Sequence, residues 1–176
     1  MGDVIKCVIM GVCGSGKTSV GKALAQEFGA TFIDGDDLHP RANIMKMATG
    51  HPLNDEDRGP WLERVSDVFF SLERRSLSGV IVCSALKKSY RDIIRNGNEP
   101  MVFVHLRGPM PVILERMAAR QGHYMKPEMV QSQFDTLEVP GPEETDVVTI
   151  SIEQPLEQVI ADAIAGVKAK MAEQKK

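Results

Sequence analysis

Residues 11 to 18 read Gly11-Val12-Cys13-Gly14-Ser15-Gly16-Lys17-Thr18, which fits the pattern G-x-x-x-x-G-K-[ST]. The residue types specify the chemistry. The glycines let the backbone curl until several N–H groups converge on one anion. A helix that starts at Lys17 adds the positive end of its dipole. Lys17 has the reach to meet the terminal phosphates of a nucleotide, and the Thr18 hydroxyl suits one Mg²⁺ position. The whole run from Gly11 to Thr18 is therefore the candidate nucleotide-phosphate site.

Further groups of the right types follow. Asp34-Gly35-Asp36-Asp37-Leu38-His39-Pro40-Arg41 places carboxylates two residues apart, one suited to a Mg²⁺ shell and one to orienting or deprotonating an acceptor hydroxyl. Asp34 is assigned to the metal because the run Val80–Cys83 is not followed by the acid that usually ends such a strand. Asp36 is the candidate base, with helix capping as its alternative. Asp37 reads as the cap of a helix beginning near Pro40. Arg58 lies in the polar stretch 49–61. It either clamps an anionic substrate or forms an exposed pair with Asp55 or Glu56. Lys87 and Arg91, four apart, share one helix face that points into the cleft or out to water. Arg116 and Arg120 precede Gly122. They read as lid arginines that neutralise transferring charge, or as cations placed at a helix C-terminus.

These groups need a scaffold. Short continuous apolar runs at 4–10, 31–33, 80–83, 101–106 and 147–152 predict strands buried on both faces. Helical spacing follows the glycine loop, and recurs over 61–72 (opened near Asn54 or Asp55), 89–95, 112–117 (starting near Pro109 or Pro111) and 156–167. Strands alternating with helices predict an α/β fold with a parallel sheet and right-handed crossovers, whose ligands bind at the carboxyl ends of the strands. A chain of 176 residues is sized for a single domain, here 1–176, with a lid at about 116–138.

Composition narrows the class. A net charge of −3 argues against nucleic acid as a partner, and 43% hydrophobic with 26% charged residues is ordinary for a soluble globular chain. No apolar run is long enough for a membrane span. Cys7, Cys13 and Cys83 form no C-x-x-C pair, which with the lack of a leader-like start predicts a cytoplasmic location. The D-x-x-G and N-K-x-D segments of a GTP-dependent switch do not occur, so that class is set aside.

Beyond the loop, the segments Asp34-Gly35-Asp36-Asp37-Leu38-His39-Pro40, Asn43-Ile44-x-Lys46-Met47, Gly50-x-Pro52-Leu53-Asn54-Asp55 and Asp57-Arg58-x-Pro60-Trp61-Leu62 are joined by four later ones. These are Cys83-Ser84-Ala85-Leu86-Lys87-x-x-Tyr90-Arg91-Asp92, Gly122-His123-x-x-Lys126, Gln133-Phe134-x-x-Leu137-Glu138 and Glu144-Thr145-Asp146. Together they resemble the small bacterial-type gluconokinases from about Val8 to Val159. The resemblance implies a three-layer α/β/α P-loop kinase fold with five parallel strands and a helical lid, related to shikimate kinase. It also implies ATP and Mg²⁺ as cofactors, D-gluconate as small-molecule substrate phosphorylated at its 6-hydroxyl, and a homodimer as an open expectation. His39, Arg41, Arg58, Lys87 and Arg91 have the types that a carboxylate-bearing polyol needs, alongside Asp36. Lys17, Asp36 and Arg120 are the candidate catalytic residues, and Arg116 and Arg120 join the loop as nucleotide contacts.

Overall fold

A computed structural model describes residues 4–119 and 127–175. Five strands form one sheet: β1 (Lys6–Met10), β2 (Thr31–Asp34), β3 (Gly79–Val82), β4 (Val102–Arg107) and β5 (Val147–Ser151). Their order is β2-β3-β1-β4-β5, and every neighbouring pair is parallel. Each predicted strand is present, with ends within two residues of those expected.

The helices are α1 (Lys17–Phe28), α2 (Arg41–Ala48), α3 (Asp55–Arg74), α4 (Lys88–Arg95), α5 (Met110–Ala118), α6 (Pro127–Thr136) and α7 (Leu156–Gln174). Alternation along β1 sends side chains to two cores. Cys7 and Ile9 pack on the face carrying α1 and α7, and Val8 and Met10 on the face carrying α3 and α4. Both faces of the central strands are covered, which is why those strands read as unbroken apolar runs. No helix of the described residues is long and apolar enough to cross a membrane.

Two local signals fix the acceptor side. Asn54 caps α3 with a full capping box, accepting from the Asp57 amide at 2.9 Å while the Asp57 carboxylate accepts from the Asn54 amide at 2.9 Å. Between β2 and α2 runs a short 3₁₀ turn, Gly35–Leu38, capped by the Asp34 carboxylate on the Asp36 amide at 2.9 Å. This corrects the capping expectation: Asp37 caps nothing, and α2 begins after Pro40 without a side-chain cap. The turn takes the cap because Asp34 sits in extended backbone two residues before a free N–H, the geometry an Asx cap requires.

Candidate active site

The phosphate loop leaves β1 at Met10 and enters α1 at Lys17, as the pattern requires. Gly16 is the N-cap of α1 at φ 94°, where a side chain would strain the backbone. At Gly14, φ is +85° and a Cβ would lie 2.7 Å from Met117 Cγ, so α5 packs directly on the bare loop. Lys17 Nζ donates to the Gly11 and Val12 carbonyls, each at 3.0 Å. Loss of water lowers its pKa, while the Asp36 and Asp34 carboxylates act in the opposite direction. The Ser15 hydroxyl is buried and has no hydrogen-bond partner among the described residues. The Cys13 amide is held at 2.5 Å by the Gln133 side-chain oxygen, which ties α6 to the loop.

Asp36 lies in the turn past the end of β2, close enough to Lys17 for the two charges to act on each other. Its pKa is raised, first by loss of water around the carboxyl and then by the Asp34 charge, against the pull of His39 and Lys17. His39 stacks on Trp61 with ring centres 4.1 Å apart and planes 16° from parallel. Trp61 Nε1 is anchored on the Gly35 carbonyl at 2.8 Å. Asn43 Nδ2 donates to the Asp57 carbonyl at 2.9 Å and lies 3.1 Å from His39 Nδ1. The carbonyl fixes the amide as donor, so His39 Nδ1 accepts and the ring carries its proton on Nε2. Burial, and then the Arg58 charge, lower the His39 pKa despite Asp36, which keeps the ring neutral.

The cations separate into two groups. Arg58 Nη1 donates to the Tyr90 hydroxyl at 3.1 Å. Lys87 Nζ is 3.2 and 3.3 Å from the two Asp55 carboxylate oxygens. Both lie against the Tyr90 ring. Arg41, the first residue of α2, is exposed and has no side-chain partner among the described residues.

Arg91 is a correction. It is 0% exposed and donates to both Glu144 oxygens at 2.7 and 2.8 Å, to the Ala85 carbonyl at 2.8 Å and to the Glu138 carbonyl at 3.0 Å. Four of its five N–H groups are engaged inside the protein, and the side chain is sealed away from a substrate. Lys87 and Arg91 do not share a helix face because Lys87 is the N-cap of α4, in extended backbone outside the helix. Arg116 donates to the Ile152 and Gln154 carbonyls, on the turn between β5 and α7. Arg120, together with Gly122 and His123, lies outside the described residues.

Four participants escaped sequence reasoning. Asn43 carried a signal, four residues after His39 on the helix that follows. Tyr90 and Asp55 carried none as site residues, and Gln133 reaches the loop from 120 residues away.

Gly11–Thr18 atop a five-stranded parallel sheet, with a carboxylate and a cationic cleft at the ends of β2 and β3, defines a phosphate-loop kinase for a small molecule. Comparison with known proteins sharpens this. The shikimate kinase family model matches residues 13–167. The thermoresistant gluconokinase of Escherichia coli is 51% identical over 161 residues, covering 92% of each chain. A probable gluconokinase of Schizosaccharomyces pombe is 46% identical, covering 86% of this chain and 81% of its own. The crystal structure of a gluconokinase from Sinorhizobium meliloti superposes with a TM-score of 0.83 at 45% identity, covering 96% of this chain and 94% of that one. Shikimate kinase from Acinetobacter baumannii shares the fold, with a TM-score of 0.55 at 20% identity. The chain belongs to the shikimate kinase family and, within it, to the gluconokinases.

Proposed function

We propose that the protein transfers the γ-phosphoryl group of ATP to the 6-hydroxyl of D-gluconate, giving 6-phospho-D-gluconate and ADP in the cytoplasm. The observation that carries this reading is the grouping of charge past the ends of β1, β2 and β3. The Lys17 and Asp36 charges act on one another, and Arg58 and Lys87 meet at the Tyr90 side chain. An acceptor with a hydroxyl for the first pair and a carboxylate for the second matches these groups. The relatives named gluconokinase, at 46 and 51% identity over most of the chain, support the choice of acid.

Asp36 accepts the hydroxyl proton as the acceptor oxygen bonds to the γ-phosphorus and the bond to the bridging β–γ oxygen breaks. Lys17 leaves its two loop carbonyls for the phosphates, where its charge meets the developing negative charge. The loop amides and the helix start at Lys17 hold the phosphates that stay behind. Neutral His39, stacked on Trp61, offers its Nε2–H to an acceptor hydroxyl. Arg120 is the proposed partner of the transferring group, and Arg116 is assigned to the nucleotide side.

Among the described residues no cluster of three or more His, Cys, Asp or Glu forms a metal cage. That fits Mg²⁺, which is usually held by one or two protein oxygens together with substrate phosphates and water. The Thr18 hydroxyl and the Asp34 carboxylate, whose second oxygen is free of the 3₁₀ cap, are the groups that would hold it. When bound, the ion neutralises phosphate charge.

A coupled ADP-release assay with ATP and a panel of gluconate, shikimate and neutral polyols tests the proposal. Turnover is expected with gluconate. Turnover with shikimate and none with gluconate would overturn it.

A further inference from the structure

We infer that Tyr90 is a positioning residue that sets the spacing of Arg58 and Lys87, the two cations proposed above for the acceptor carboxylate. This rests on the gluconate reading above and adds the residue that holds those cations in place.

Tyr90 is 5% exposed, with its ring in the core beneath α3 and α4. Its hydroxyl donates to Asp55 Oδ1 at 2.5 Å and accepts from Arg58 Nη1 at 3.1 Å. Both cations also lie near its ring: the Arg58 guanidinium carbon is 5.7 Å and Lys87 Nζ 5.5 Å from the centroid. One rigid residue thus touches two long, flexible cations that come from the starts of two different helices. Cations fixed before the ligand arrives lose less rotamer freedom on binding, so the grip is stronger than the same charges on free stems.

Asp55 shows what the grip holds. Its carboxylate bridges Tyr90 and Lys87 while remaining largely open to solvent, so a carboxylate already fits in front of these groups. Asp55 also directs the Tyr90 proton toward itself, which leaves a hydroxyl lone pair for Arg58. The Arg58 charge acts on His39 as well as on Asp55 and Tyr90, and its Nη1 is bonded to the Tyr90 hydroxyl.

The test is Tyr90→Phe in the full-length protein, which keeps the ring and removes both hydrogen bonds. The gluconate KM is expected to rise about tenfold, the typical cost of losing a hydrogen bond to a charged group, with kcat within about twofold and the ATP KM unchanged. The preference for gluconate over sorbitol, a neutral polyol of the same length, should fall by the same factor in kcat/KM. Asp55→Ala, which removes the acceptor of the Tyr90 proton, should reproduce the rise, and the double variant should be no worse than the worse single one, because both act through one hydroxyl. An unchanged gluconate KM in Tyr90→Phe, or equal losses on gluconate and sorbitol, would overturn the inference while leaving gluconate turnover intact. If Tyr90→Phe does not fold, Asp55→Ala at an exposed position carries the same readout. A wild-type protein inert toward gluconate removes the functional reading instead.

Discussion

Lys17 and Asp36 are the pair on which chemistry at the single-residue scale turns. Lys17 is the cation built into the phosphate loop, and it rests on two backbone carbonyls that any phosphate oxygen outcompetes in charge. Lys17→Ala should lower turnover about 10²-fold or more with an unchanged far-ultraviolet dichroism spectrum, the usual size of a lost electrostatic contact to a transition state. Asp36 acts only when ionised, and its folded pKa is raised. Activity should therefore climb with pH through an apparent pKa above the ordinary aspartate value of 3.8, and fall as pH drops below it. In Asp36→Asn that acid limb should vanish, with turnover lower by about 10²-fold or more. A wild-type limb surviving in Asp36→Asn would assign it to another group. Arg58→Ala, by contrast, should chiefly raise the gluconate KM, because its contact to the acceptor exists before and during transfer.

One scale up, α4 and the segment before β5 are joined by buried charge. Arg91 and Arg95 meet Glu144, and Arg95 also meets Asp146 at 2.8 Å. Removing Arg91 leaves the buried Glu144 carboxylate with Arg95 alone and takes the donor from the Ala85 and Glu138 carbonyls. Arg91→Met should cost about 3–5 kcal/mol and lower the melting midpoint by roughly 10 °C. Burial alone would raise the Glu144 pKa, but the bonds from Arg91 and Arg95 outweigh it and the net shift is downward. A depressed folded pKa gives stability that is complete above the ordinary glutamate value of 4.5 and lost as pH falls below it. His105 on β4 opens an earlier window. Burial first, then the Arg107 and Arg91 charges, bring its pKa from 6.5 down to about 4, and its Nδ1 has no partner. The unfolded chain binds this proton more readily, so stability should already decline as pH falls from 6.5 toward 4. Urea titrations across pH should show both windows. A His105→Phe variant should lose the upper one and keep the lower.

At the scale of the whole molecule, the nucleotide site joins parts far apart in the chain. The loop touches α5 through Gly14 and Met117, and α6 through Cys13 and Gln133. A nucleotide that orders the loop therefore acts on both helices. Binding of a non-hydrolysable ATP analogue should slow hydrogen exchange in residues 11–18, in α5 and in α6, while the buried amides of β3 stay unchanged. Protection confined to residues 11–18 would show that the stretch 116–138 does not respond as a lid.

The sequence by itself determined what depends on neighbours in the chain. The phosphate loop is eight contiguous residues, so its pattern carries its conformation. The five strands were legible because a doubly covered sheet leaves an unbroken apolar run, and α3 was legible from Asn54 because a cap acts within four residues. The fates of the cations were decided only by the tertiary structure. Lys87 and Arg91 are four apart and both basic, yet one borders the cleft and the other is sealed in the interior. The difference is made by Asp55, 32 residues before Lys87, and by Glu144, 53 residues after Arg91. Tyr90 and Gln133 entered the site the same way, through partners 35 and 120 residues distant. Periodicity specifies which face of a helix is buried, but not which charge lies against it, because that charge arrives on an element placed by the packing of the whole sheet.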